Sequence, residues 1–200
     1  MRILCYGDSN TWGYIPGSNH QRYTEDERYP MVLQHLLGEN YEIIEEGLCA
    51  RTICNADPYH KGDEYIASKH FENCFKSHLP IDICVLFLGS NDMKDYFSFT
   101  AFDAAIILEE LIIAKIREIS PKTRIIIVTP KEIEKSNFEG FKNAQFKSSD
   151  FKKAYECLAH HANCEYIPND ILEVGSDGLH LTKQAHENIA KALYEKIAAK

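Results

Sequence analysis

Residues 81–88 read Ile-Asp-Ile-Cys-Val-Leu-Phe-Leu and run straight into Gly89-Ser90-Asn91-Asp92. The run is apolar at nearly every position, so a strand made from it presents apolar side chains on both faces. Such a strand must be covered from both sides, which is the situation inside a parallel sheet. The rest of the chain supplies the cover. Apolar strand-like runs at 2–6, 41–46, 124–129 and 165–167 alternate with helical patterns. The helical spacings are Val32, Leu33, Leu36, Leu37 within 30–37, and Tyr65, Ile66, Phe71, Phe75 within 62–78. Thr100-x-x-Asp103 has the form of a capping box. It opens a helix lined by Ala105, Leu108, Ile112, Ile116 and Ile119 that Pro121 stops. A further helix runs to about residue 162, and a last one over 181–200 carries Ala185, Ile189, Leu193 and Ile197 behind Thr182 as N-cap.

Five strand–helix alternations predict an α/β fold: a three-layer α/β/α sandwich with right-handed crossovers. The most apolar strand, the third, belongs at the centre. The flavodoxin-like order 2-1-3-4-5 satisfies this, with the topological switch between strands one and three. Residues 7–29 and 47–60 read as loops, and 131–149, with Phe138, Phe141 and Phe146, as a lid-like loop or a short helix. No repeat, low-complexity tract or linker interrupts the chain, so residues 1–200 are expected to form one domain.

Charge and cysteine usage narrow the function. A net charge of −8, from 22 Lys and Arg against 30 Asp and Glu, argues against nucleic acid, which demands excess basic side chains. Seven cysteines without framework spacing fit mostly buried thiols in a reducing compartment. No dense Cys/His cluster announces a metal site, and none is expected. Only four apolar residues follow Met1-Arg2, too few for a secretory leader, and no run approaches a membrane span. The expectation is a cytoplasmic chain without a membrane or nucleic-acid partner and without a cofactor.

Ligands of open α/β sheets bind at the C-terminal ends of the strands. Four polar clusters fall there or in the loops beyond: Gly7-Asp8-Ser9-Asn10, the Gly47–Arg51 loop, Gly89-Ser90-Asn91-Asp92, and Ser176-Asp177-Gly178-Leu179-His180. Singly, each has an ordinary structural reading: Ser9 as a turn former, Asn91-Asp92 as a cap, Asp177-Gly178 as a turn pair. Together they hold what acyl transfer needs. A serine alcohol requires a base, and the base an orienting carboxylate. Ser9, His180 and Asp177 are those residues. The developing oxyanion needs donors already in place, and the Ser9 N–H, a backbone N–H from the second loop and the Asn91 amide are candidates.

In this order the four blocks resemble those of the GDSL-type (SGNH) hydrolases over nearly the whole chain. Longer stretches, Ile3 to Gly13, Glu45 to Thr52 and Leu88 to Phe97, look like the arylesterase and acyltransferase branch. The resemblance implies Ser9 as nucleophile, His180 as base, Asp177 as its orienter and Asn91 as oxyanion donor. It implies hydrolysis of short acyl esters, acyl transfer to alcohols in some members, and homo-oligomers that narrow the pocket mouth. Two departures stand out. Asn10 replaces the commoner leucine. The second-block oxyanion glycine aligns with Ala50, which serves without strain if its φ is negative, with Gly47 the alternative. Asn10, Trp12, Lys94, Tyr96, Phe138, Phe141 and Leu179 are the expected pocket residues. Carbohydrate O-deacetylase and acyl thioesterase are rival activities. A flavodoxin-like anion-binding module is the rival outside enzymes, although it would leave Asp177 and His180 idle.

Overall fold

Each strand divides its side chains between two cores, as a period of two requires. The computed structural model describes residues 1–136, 138 and 140–198. In strand β1 (Arg2–Gly7), Ile3 and Cys5 enter one core and Leu4 and Tyr6 the other. In β3 (Ile83–Phe87), Ile83, Val85 and Phe87 oppose Cys84 and Leu86; in β4 (Arg124–Val128), Ile126 and Val128 oppose Ile125 and Ile127. The edge strands β2 (Glu42–Gly47) and β5 (Glu165–Ile167) complete a parallel sheet in the expected order β2-β1-β3-β4-β5.

Helices α2 (Tyr29–Leu37) and α8 (Lys183–Ala198) cover the first core through Leu33, Ala185, Ile189 and Leu193. The second core is closed by α3 (Ala67–Ser77), α4 (Ala101–Leu108), α5 (Ala114–Ile119) and α7 (Phe151–His161), with Phe71, Phe75, Leu108, Phe151 and Tyr155 fully or almost fully buried. The predicted capping box is present: the Asp103 N–H donates to the Thr100 hydroxyl at 3.3 Å, and the Thr100 N–H donates to the Asp103 carboxylate at 2.8 Å. Thr182 caps α8, its hydroxyl accepting from the Ala185 N–H at 3.2 Å.

Several boundaries differ from the sequence reading. The 7–29 segment begins with a one-turn helix, α1 (Ser9–Trp12), because Asp8 caps it by accepting from the Asn10 N–H at 2.9 Å. The expected 62–78 helix is split: Gly62 sits at φ +140° and Ile66 is extended, so a 3-10 turn (Asp63–Tyr65) precedes α3. The helix opened by Thr100 holds a π-helical turn, Glu109–Ile113, between α4 and α5. Within 131–149 a short helix, α6 (Ala144–Ser148), follows an irregular stretch in which residues 137 and 139 lie outside the described residues. Residues 199–200 of the expected last helix do so too. All seven cysteines are free, but only Cys5, Cys74 and Cys84 are buried; Cys49, Cys54 and Cys164 are partly exposed and Cys157 is exposed, so the thiols are less buried than expected. Among the described residues no helix is long and apolar enough to cross a membrane.

The sheet–helix interface should dominate stability. Leu193→Ala on α8 removes a side chain with no solvent exposure and should lower the unfolding free energy by about 2–5 kcal/mol in urea titration. Ile106→Ala, at an exposed position, should change it by less than about 0.5 kcal/mol.

Candidate active site

Parallel pairing of β1 with β3 sets Gly7 opposite Phe87. The Gly7–Asn10 and Gly89–Asp92 segments therefore leave the sheet side by side. Close packing needs glycine at the first: a Cβ on Gly7 would stand 2.1 Å from Thr11 Oγ1 and 2.5 Å from the Phe87 carbonyl oxygen. Ser9 then opens α1, so its N–H lies in the first turn, where no helical acceptor exists. Asn91 stands on a 3-10 turn (Ser90–Met93) after Gly89, whose φ of +127° bends the chain at the strand end.

The fourth block comes from the far end of the chain. His180 Nε2 lies 3.0 Å from Ser9 Oγ, and His180 Nδ1 lies 2.9 Å from Asp177 Oδ2. Asp177 also accepts from the Leu179 N–H at 3.0 Å, the His180 N–H at 2.9 Å and the Gly17 N–H at 3.1 Å. Burial works to raise the Asp177 carboxyl, but the bonds from the His180 ring and the His180 and Leu179 amides outweigh it and hold the group at about 2. The carboxylate is thus ionised at neutral pH and orients the ring. The Tyr14 ring stacks on His180 with centroids 4.1 Å apart, and Phe138 meets it edge-on at 5.2 Å. A serine whose hydroxyl faces a held imidazole can lose its proton as it attacks an ester carbonyl.

Around Ser9 lies a cavity of about 180 Å³ lined in part by Tyr14, Ala50, Asn91, Lys94, Phe138, Phe141, Leu179 and His180. Of the expected pocket residues, Lys94, Phe138, Phe141 and Leu179 are there. Asn10 is not: it is buried, and its Oδ1 accepts from the Leu181 N–H at 3.0 Å, tying α1 to the His180 loop. Trp12 lines a smaller adjoining cavity with His20, Leu48, Cys49, His60 and Tyr65, its ring flanked by Arg22 and His20. Tyr96 is 40% exposed and packs on Tyr59 and Phe97 outside the cavity wall. Tyr14, His20, Cys49 and His60 line the main cavity without having been singled out from sequence. The aromatic density of the long first loop was a usable signal for Tyr14. The others carry no periodic or motif signal.

The second loop departs from expectation in one respect. Ala50 has φ +66°, in the left-handed region rather than at negative φ. Its N–H donates to no acceptor among the described residues. Gly47 is not part of a turn: it ends β2, and a Cβ there would lie 2.2 Å from the Trp12 nitrogen. Its role is close approach of β2 to α1. The loop is held from beneath by two buried charges. Arg51 donates to the Gly7 carbonyl at 2.9 Å and to the Glu46 carbonyl, and its guanidinium lies 4.2 Å from the Tyr6 ring centre. Asp92 accepts from the Ile53 N–H at 3.0 Å and the Asn55 amide at 3.0 Å. Lys94 is ion-paired with buried Asp57, which also approaches His60 Nδ1 at 3.3 Å.

Asp8 ties the serine to Asn91, whose amide nitrogen lies 3.5 Å from Asp8 Oδ2. An amide nitrogen carries two N–H groups, so this contact leaves one for a ligand. Burial pushes Asp8 up to about 7; the Asn10 N–H opposes this, and the Asp92 charge adds to it. Burial likewise lifts Asp92 to about 6 against the bond from the Ile53 N–H.

The GDSL-like lipase/acylhydrolase family pattern matches residues 5–187. The fold is similar to the aryl esterase of M. smegmatis at 28% identity and TM-score 0.86, covering 99% of this chain and 98% of that one. It is also similar to a carbohydrate acetylesterase from Sinorhizobium meliloti at 29% identity and TM-score 0.88, with the same coverages. No curated protein matches the sequence.

Two outcomes test the geometry. A non-glycine residue at left-handed φ costs about 1–2 kcal/mol, whereas glycine adds about 0.4–1 kcal/mol of unfolded-chain entropy. Ala50→Gly should therefore stabilise the protein by about 0.5–1 kcal/mol in urea titration; a destabilised variant would contradict the strain. Asp8, raised above its unfolded value, binds a proton in the native state that the unfolded chain has released. Its contribution is full below about pH 4 and is lost as pH rises through about 7. The wild type should therefore lose this contribution between about pH 4.5 and 7.5, and Asp8→Asn should make the pH profile of the unfolding free energy over that window flatter than the wild type's.

The site's four segments, in their chain order and their geometry, are matched by a family pattern over nearly the whole chain, and the chain belongs to the GDSL-like lipase/acylhydrolase family.

Proposed function

We infer that this esterase cleaves small acyl esters, acetyl esters foremost, through a covalent intermediate on Ser9. The observation that carries the reading is the continuous contact from Asp177 through His180 to Ser9 Oγ, with Ser9 and His180 both lining the cavity. In the first half-reaction Ser9 Oγ bonds to the acyl carbon while its proton passes to His180 Nε2. The carbonyl oxygen becomes an oxyanion beside the Ser9 N–H, the Ala50 N–H and the Asn91 amide. Each such donor contributes on the order of 3 kcal/mol to the transition state. Collapse breaks the ester C–O bond, and His180 returns the proton to the departing alcohol. Water then repeats the sequence in reverse and frees Ser9.

Cavity size supports small acyl groups. At about 180 Å³ the cavity is below the roughly 300–1,000 Å³ of sites that hold drug-sized ligands, which suits an acetyl group and the near part of its alcohol. The walls contributed by Tyr14, Phe138, Phe141 and Leu179 are largely apolar. They favour an alcohol over water as the acceptor in the second half-reaction, which supports acyl transfer as a companion activity. The likeness to a carbohydrate acetylesterase supports a second reading, an acetylated sugar as substrate.

Ser9→Ala should lower kcat on p-nitrophenyl acetate by at least about a thousandfold while leaving the circular dichroism spectrum unchanged. Wild-type turnover by that variant would refute the assignment. Across an ester panel kcat/KM should fall more than tenfold from acetyl to octanoyl. Acetylated sugars run beside aryl acetates decide between the two alcohols.

A further inference from the structure

Away from Ser9, the fold gathers three metal-ligating side chains of different chemistry. Cys74 and His78 are four residues apart at the C-terminal end of α3, a spacing that puts both on one helix face. Glu46 reaches them from β2. One ligand atom from each, a thiol sulfur, a ring nitrogen and a carboxylate oxygen, lies within 4.8 Å of the other two. His78 Nε2 is already 2.9 Å from Glu46 Oε1. Cys74 is buried, while the Glu46 and His78 side chains are each 28% exposed.

We propose that Glu46, Cys74 and His78 form a binding site for a divalent transition ion of the zinc type, joining edge strand β2 to α3. The donor set favours such an ion. Thiolate and imidazole exclude magnesium and calcium, which take oxygen ligands, and suit zinc with one carboxylate. Bonds of about 2.0–2.3 Å in tetrahedral geometry set ligand atoms roughly 3.5 Å apart. Closing from 4.8 Å to that spacing asks for movement only of the two partly exposed side chains, with the buried sulfur in place. The fourth position is left to water.

Charge supports the site as well. A thiolate and a carboxylate neutralise a divalent ion, so the complex carries no net charge into a partly buried position. Binding releases the Cys74 thiol proton to solvent, with no change of oxidation state. One neighbouring cation, Arg51, is already engaged by the Gly7 and Glu46 carbonyl oxygens and the Tyr6 ring. The His78 backbone is anchored too, since the Arg2 guanidinium donates to its carbonyl oxygen. An ion here would pin β2, which pairs on one side only, to the helix beside it.

Cobalt(II) is the probe, because its thiolate complexes are coloured. Full-length protein stripped with a chelator should bind one equivalent of Co²⁺ and develop tetrahedral d–d bands with a thiolate-to-cobalt charge-transfer band. Cys74→Ser should lose the charge-transfer band, and Cys49→Ser should keep it. Zn²⁺ should bleach the spectrum and raise Tm in the wild type but not in Cys74→Ser. No charge-transfer band at saturating Co²⁺, or one that survives Cys74→Ser with its far-ultraviolet dichroism intact, would overturn the site. Hydrolysis of p-nitrophenyl acetate, measured on the same stripped protein, reports on Ser9 separately.

Discussion

The register between β1 and β3 is the constraint on which the site rests. Gly7 lies opposite Phe87, so two loops separated by about eighty residues emerge together. A shift of one residue would turn every side chain of β1 to the wrong core. It would also carry Ser9 away from Asn91. The two cores enforce the register, since Ile3 and Cys5 fill one while Leu4 and Tyr6 fill the other. Hydrophobic patterning thereby positions groups that have no hydrophobic role.

Polar struts then fix the loops that the sheet delivers. Asn10 bonds to the Leu181 N–H, Gly17 to Asp177, Asp92 to Ile53, and Arg51 to the ends of β1 and β2. The first three cross between loops, and the Arg51 bonds tie its loop to the strand ends. The Asn10, Asp92 and Arg51 bonds are buried, and a buried polar group left unpaired costs about 1–3 kcal/mol. Asp8 and Asp92 show the other side of this. Placed beneath the loops, their carboxyls are raised by burial. The left-handed Ala50 has the same character: local strain is held in place by a surrounding network.

Much of this was legible in the chain. Strand order followed from the apolar run at 81–88 and from the alternation of elements. Ser9 and Asn91 stood out as polar residues directly after strands, and Asp177 and His180 as a turn cluster in the loop beyond the fifth strand. Pocket lining was legible only in part. Phe138, Phe141, Leu179 and Lys94 line the cavity, but Asn10 became a strut and Tyr96 stands outside. Side-chain direction at these positions depends on how irregular loops pack, and no period describes that. Boundaries within 62–78 and 100–121 shifted because a glycine at positive φ and a π turn interrupt patterns that otherwise read as continuous.

By itself, then, the sequence determined the elements, the class of sheet and the residues offered at the strand ends. Those follow from periodicity and turn chemistry, which act over a few neighbours. Tertiary structure alone decided that Tyr14 stacks on His180, that Ala50 takes a left-handed backbone, that His20 and His60 face the cavity, and that Glu46 meets Cys74 and His78. Each of these depends on the path of a loop or on the approach of segments distant in the chain. Such proximity is set by packing and register, which are properties of the assembled sheet and helices rather than of any local stretch.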